Sequence, residues 1–139
     1  MRQPAMPDNT VVGMVGIGDM GAAIAASILR NHASIVFDAR PGAVEELVAL
    51  GVCGTDSLEL LADQCDVVIL AVGDDQQLNR IVGALLRHPG KLHTIIVSST
   101  VLPSTASALS EQALKVGLDL IDAFPLTTGR LDAIFGMLA

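Results

Sequence analysis

Three glycines, Gly16, Gly18 and Gly21, stand between an apolar run, TVVGMV, and an alanine-rich one, AAIAASIL. Glycine weakens strands and helices alike, so a chain that sets three of them where a strand hands over to a helix needs bare backbone there. GIGDMG has the spacing G-x-G-x-x-G, and between a strand and a helix that spacing has a mechanism. Gly16 permits a sharp turn off the strand, and Gly18 lets a pyrophosphate approach the backbone. Gly21, followed by Ala22 and Ala23, lets the helix lie close on a sheet with its amide-rich N-terminus aimed at the phosphates. Gly16, Ile17, Gly18, Asp19, Met20 and Gly21 are thus candidate contacts for a dinucleotide.

The same mechanism asks for an acid about 20 positions on, at the end of a second strand, to take the ribose hydroxyls. Asp38 closes SIVFD, and 38 − 16 = 22 residues separate it from the first glycine. The alternative for Asp38 is a solvated turn residue at a strand end. An ionised Asp38 repels a ribose 2′-phosphate, whereas Arg40, two residues later, can attract one. NAD is favoured, with NADP as the other choice. Val72, at the end of the fourth apolar run, joins the cofactor-side candidates.

Apolar runs alternate with helix-like segments along the whole chain, which predicts an α/β fold of Rossmann type. A doubly wound, mostly parallel sheet would carry helices on both faces. Strands are predicted near Val11–Val15, Ser34–Asp38, Val52–Cys53, Val67–Val72, Thr94–Ser98 and Leu118–Asp122. Helices are predicted at about Met20–Asn31, from Pro41 to before Gly51, from Asp56 and Ser57 with Asp56 and Glu59 spaced as a capping box, and at about Gln76–Arg87 and Pro103–Val116. At 139 residues the chain has the size of one domain, spanning 1–139.

Hydrophobic residues make up 51% and charged residues 17%, against about 25% charged in soluble proteins. The excess apolar surface asks for cover by another subunit or a second domain, so a homo-oligomer or an absent domain is expected. VVILAV is far too short to cross a membrane. The formal net charge is −7 and no basic run occurs, so neither membrane nor nucleic acid is an expected partner. The N-terminal stretch lacks a signal-peptide pattern, so a cytoplasmic location is expected. Cys53 and Cys65 are not spaced as a metal or redox pair and read as small core residues; no metal site is expected.

The chain resembles the β-hydroxyacid dehydrogenases, the group of 3-hydroxyisobutyrate dehydrogenase and tartronate semialdehyde reductase, related to 6-phosphogluconate dehydrogenase. The likeness runs from VGMVGIGDMGAAIAASIL through VSSTVLPSTASALSEQALKVGLDLIDAF to PLTTGRLDAIFGML. It implies that the Ser99–Thr100 pair lies beside the nicotinamide, with Thr100 on the cofactor. Carboxyl ends of parallel strands are where open α/β sheets bind ligands, although Thr100 could equally cap the helix begun by Pro103. It also implies that DAFPLTTG matches the family's substrate loop. Asp122 and Ala123 match its start, Phe124 is inserted, Thr127 stands for the serine, Thr128 replaces a glycine, and Gly129 remains. Thr127, Thr128 and Gly129 would then hold a substrate carboxylate, unless they form a purely structural turn.

The implied partner is a small hydroxy acid or its semialdehyde, with hydride passing to or from the nicotinamide. The family's catalytic lysine has no match here, so no catalytic residue is assigned. Lys91, His93 and Lys115 all read as solvated. LDAIFGMLA, Leu131–Ala139, ends without a polar cap and reads as the edge of a fragment. The isolated chain is expected to bind cofactor without catalysing. The rival expectation is a non-catalytic dinucleotide-binding module or a truncated remnant.

Overall fold

Short runs dense in valine and isoleucine make strands that can be buried on both faces, and that is how this chain uses them. The computed structural model describes residues 9–16, 22–37, 52–123 and 126–137. Among these the order is β1 (Val11–Val15), α1 (Ala22–Asn31), β2 (Ala33–Phe37), β3 (Cys53–Gly54), α2 (Leu58–Gln64), β4 (Val67–Leu70), α3 (Asp75–Arg87), β5 (Thr94–Val97), α4 (Pro103–Lys115), β6 (Asp119–Asp122) and α5 (Thr128–Met137). The six strands form one sheet in the order β3-β2-β1-β4-β5-β6, and every pairing is parallel. This is the Rossmann order, wound outward in both directions from β1 and β4.

The period of two in a strand divides the core into two layers. Val12, Met14, Val67, Ile69 and Ile96 face Ile28 of α1 and Leu131, Ile134 and Phe135 of α5. Val15, Val68, Leu70, Ile95 and Val97 face Leu61 of α2, Leu78, Ile81, Val82 and Leu85 of α3, and Leu109 and Ala113 of α4. Gly13 has a packing reason. A Cβ there would stand 3.0 Å from Val68 Cγ2 and 3.1 Å from Cys65 Sγ, so the bare residue lets α2 lie close on the sheet.

Two expectations are corrected. The cap of α2 is Ser57 rather than an Asp56–Glu59 box: the Ser57 hydroxyl accepts the Leu60 N–H at 3.1 Å, and Ser57 is in extended backbone as a cap requires. Cys65 is fully buried, but Cys53 is exposed, because β3 is a two-residue strand at the sheet's edge. The described part of LDAIFGMLA is helical. It continues α5, which Thr127 opens by accepting the Arg130 N–H on its hydroxyl at 3.1 Å. The helix expected from Pro41 lies outside the described residues, as do Ile17, Gly18, Asp19, Met20, Gly21, Asp38 and Arg40.

Candidate functional site

All six strands run parallel, so their carboxyl ends share one edge, and the sheet's direction of winding reverses between β1 and β4. Ligands of open α/β sheets bind in the crevice at that reversal. There Gly16 leaves β1 with φ of 79°, a left-handed conformation that favours glycine. Its N–H donates to the Phe37 carbonyl at 3.3 Å, and a Cβ on it would collide with the Ala71 carbonyl at the end of β4. The first glycine of the motif is thus required by the backbone that passes it. Val72 stands beside it, with Cγ1 3.3 Å from the same Cβ position.

The loops after β4 and β5 are tied together. Ser99, which is buried, accepts the Val72 N–H on its hydroxyl at 2.8 Å. Asp75, in the first turn of α3, accepts the Thr105 hydroxyl at 2.8 Å and the Leu102 N–H at 3.4 Å. Between these two ties lies Thr100, exposed at the rim. It does not cap α4: that helix opens at Leu102 and Pro103 without a side-chain cap.

β6 adds its carboxyl end beside that of β5, with Val97 in register with Asp122. Thr127 follows, and Thr128 and Gly129 occupy the first turn of α5. The structural alternative for this segment is present in that Thr127 caps the helix. Thr127, Thr128 and Gly129 nonetheless stay exposed, and a Cβ on Gly129 would meet nothing within 4 Å.

Next to Gly16 the structure opens a cleft of about 210 Å³ between Gly16, Phe37, Leu58 and the Gln77, Arg80 and Arg87 side of α3. Whole-ligand pockets are usually about 300–1,000 Å³, so this cleft suits one end of a long ligand. A left-handed glycine at the switch point and a cleft carrying arginines at the end of β2 fit an anionic dinucleotide. Sequence reasoning missed Gln77, Arg80 and Arg87. Their spacing of three and seven along one helix was the available signal.

Lys91 and Lys115 lie at the opposite, amino end of the sheet. Lys91 precedes β5, where its Nζ stands 3.6 Å from Asp66 Oδ1, and Lys115 ends α4 just before β6. His93 is at that end too, with Nδ1 2.8 Å from the Thr94 hydroxyl. Cys65 is also remote from the site, its thiol pushed up to about 12 by burial and, less, by the Asp66 charge. Among the described residues no group of three or more His, Cys, Asp or Glu side chains could hold a metal, and no helix is long and apolar enough to cross a membrane.

Comparison with known proteins agrees with this geometry. The family described as the NAD binding domain of 6-phosphogluconate dehydrogenase matches residues 11–139. 3-Hydroxyisobutyrate dehydrogenase of Pseudomonas aeruginosa is 35% identical over 94% of this chain and 45% of its own length. L-Threonate dehydrogenase of Cupriavidus necator is 33% identical over 90% of this chain and 43% of its own length. Among solved structures, 3-hydroxyisobutyrate dehydrogenase from Salmonella typhimurium superposes with a TM-score of 0.72 at 27% identity, covering 91% of this chain and 45% of that one. The chain spans less than half the length of these relatives.

Proposed function

Because the chain belongs to the family of the NAD binding domain of 6-phosphogluconate dehydrogenase, we propose that it is the cofactor-holding part of a dehydrogenase acting on a small 3-hydroxy acid of the 3-hydroxyisobutyrate kind. GIGDMG holds the pyrophosphate and Asp38 the adenosine ribose. The observation that carries this reading is Gly16, turned left-handed against the Ala71 carbonyl at the point where the sheet reverses.

Bound nicotinamide supplies the hydride acceptor or donor. The chain's own residues orient the reactants: Thr100 lies at the rim on the nicotinamide side, and Thr127, Thr128 and Gly129 offer hydroxyls and bare backbone to a substrate carboxylate. Movement of the hydroxyl proton needs a general acid or base within hydrogen-bond reach. Lys91 and Lys115 sit a strand's length away, about 13 Å for four residues, and the resemblance to the β-hydroxyacid dehydrogenases implies for that role a lysine that these 139 residues do not contain. A cytoplasmic enzyme whose apolar faces are covered by a helical domain or a second subunit completes the reading.

Nicotinamide fluorescence tests binding directly, since the chain has no Trp or Tyr to transfer energy. The signal should change on titration with the chain and stay that of free NADH with Gly18→Val, whose side chain fills the pyrophosphate's space. NADH oxidation with a panel of small semialdehydes should give no turnover by these 139 residues alone. An unchanged signal up to millimolar NADH overturns the cofactor assignment, and robust turnover overturns the assignment of the proton donor.

A further inference from the structure

α3 opens on a capping pair that reaches further than the cap needs. Asp74 Oδ1 accepts the Gln77 N–H at 2.7 Å, which is the first half of a capping box. In the second half the Glu or Gln side chain ordinarily accepts the N–H of the cap residue itself. Gln77 passes over that N–H. Its Oε1 accepts the Gly73 N–H instead, at 3.3 Å, one residue earlier in the loop that follows β4.

Consecutive backbone donors of that loop are therefore held from two sides. The Val72 N–H goes to Ser99 Oγ at 2.8 Å in buried surroundings, and the Gly73 N–H goes to Gln77 in exposed ones. Water can replace an exposed hydrogen bond at small net cost, whereas a buried donor has no substitute. The Gln77 bond is thus the one that can open. Thr100 follows Ser99 in the chain, so the loop joins Gln77 to the rim where Thr100 stands.

Gln77 also lines the cleft beside Gly16. A carboxamide carries two N–H donors besides its oxygen, and the Gly73 contact occupies the oxygen alone, because a backbone N–H needs an acceptor. A ligand acceptor in the cleft that takes an N–H from Gln77 fixes the carboxamide with its oxygen on Gly73. A ligand shifts an equilibrium only by what it contacts differently in the two states, and Gln77 supplies that difference.

We propose that Gln77 is a positioning residue that couples the two ends of the dinucleotide. An adenosine moiety in the cleft accepts its carboxamide N–H, holds the Gly73 N–H on its oxygen and, through Val72 and Ser99, orders the rim around Thr100 on the nicotinamide side. This rests on the dinucleotide reading above.

The test uses 5′-AMP, which brings adenosine and one phosphate but no nicotinamide. Calorimetry sets its saturating concentration. NMR then follows solvent exchange of the Gly73 amide proton and the resonance of the Thr100 amide in the unmodified chain, Gln77→Met and Gln77→Glu. Methionine keeps the length of glutamine and removes acceptor and donors alike. Glutamate keeps the acceptor and the capping box but has no N–H to offer the cleft, so its thermal midpoint should stay. In the unmodified chain AMP should slow Gly73 exchange about fivefold or more, the lower end of ordinary coupling between sites, and shift the Thr100 resonance. Both responses should vanish in both variants while AMP still binds. An unmodified chain that binds NADH but not AMP, or that binds AMP with Gly73 and Thr100 unchanged, overturns this assignment alone; the second result is what a helix cap and nothing more would give. Survival of the responses in either variant overturns it too, as does loss of AMP binding in both, which makes Gln77 a ligand contact only. Failure of AMP and NADH alike to bind overturns it together with the reading beneath it.

Discussion

The hydroxyl of Ser99 accepts the N–H of Val72 at 2.8 Å across the carboxyl ends of β5 and β4. It fixes the edge of the sheet that Gly16 and Thr100 share. Both partners are buried, so Ser99→Ala strands a backbone donor without water to replace the lost acceptor. The expected cost is about 1–3 kcal/mol, read from the urea midpoint, together with weaker NADH binding. An unchanged midpoint would show that the contact carries no weight in the fold.

Two glycines of the site should respond in opposite senses. Gly16→Ala places a Cβ against the Ala71 carbonyl in a left-handed conformation, a backbone strain of about 1–3 kcal/mol before the collision is counted. Gly129→Ala meets nothing within 4 Å and lies in the first turn of α5, so it should be neutral or stabilising by up to about 1 kcal/mol. Thermal unfolding separates the two. If Gly129 serves a substrate carboxylate, the alanine variant of a complete enzyme should be stable with a raised KM and little change in kcat.

The parts of this molecule legible in its sequence are those governed by one local rule. Val67–Leu70 and Thr94–Val97 announce themselves as strands because burial on both faces demands unbroken apolar runs, and Gly16 because a strand that hands over to a helix through G-x-G-x-x-G needs bare backbone. The cap of α2 is ambiguous by one residue because Asp56 and Ser57 are both good caps, and only the Ser57 hydroxyl accepts the Leu60 N–H. α5 does not announce itself because its cap, Thr127, lies in a segment that resembles a substrate loop. Cys53 looked like a core residue, and only the sheet order reveals that β3 is an edge. Arg80 and Arg87 resemble a solvated helix face until the fold brings Phe37 opposite them.

Asp75 links α3 to the start of α4 through Thr105 and the Leu102 N–H. Asp75→Ala and Thr105→Val should each cost about 0.5–1.5 kcal/mol, and the double variant should cost less than their sum because both remove the same contact. Additive losses in a double-mutant cycle would show that the tie is not formed. The loop carrying Thr100 should loosen in each variant, which hydrogen exchange at Val101 and Leu102 would report as faster opening.

The two thiols should behave differently, and one of them should shape alkaline stability. Cys53 is exposed and should react with a disulfide-exchange reagent at pH 8 in the native state. Cys65 is sealed under α2 and should react only on unfolding. Burial, with a smaller contribution from Asp66, lifts the Cys65 thiol from 9.0 to about 12. The unfolded chain therefore releases this proton near pH 9 while the folded chain keeps it. The contribution is fully present below pH 9 and is lost as the pH rises toward 12, at no more than about 1.4 kcal/mol per unit. Denaturant midpoints measured from pH 8 to 11 should decline with that slope. Cys65→Ala should start lower, because it leaves a cavity against Leu61 and Val68, but decline less. A parallel decline in the two proteins would show that Cys65 is not the group responsible.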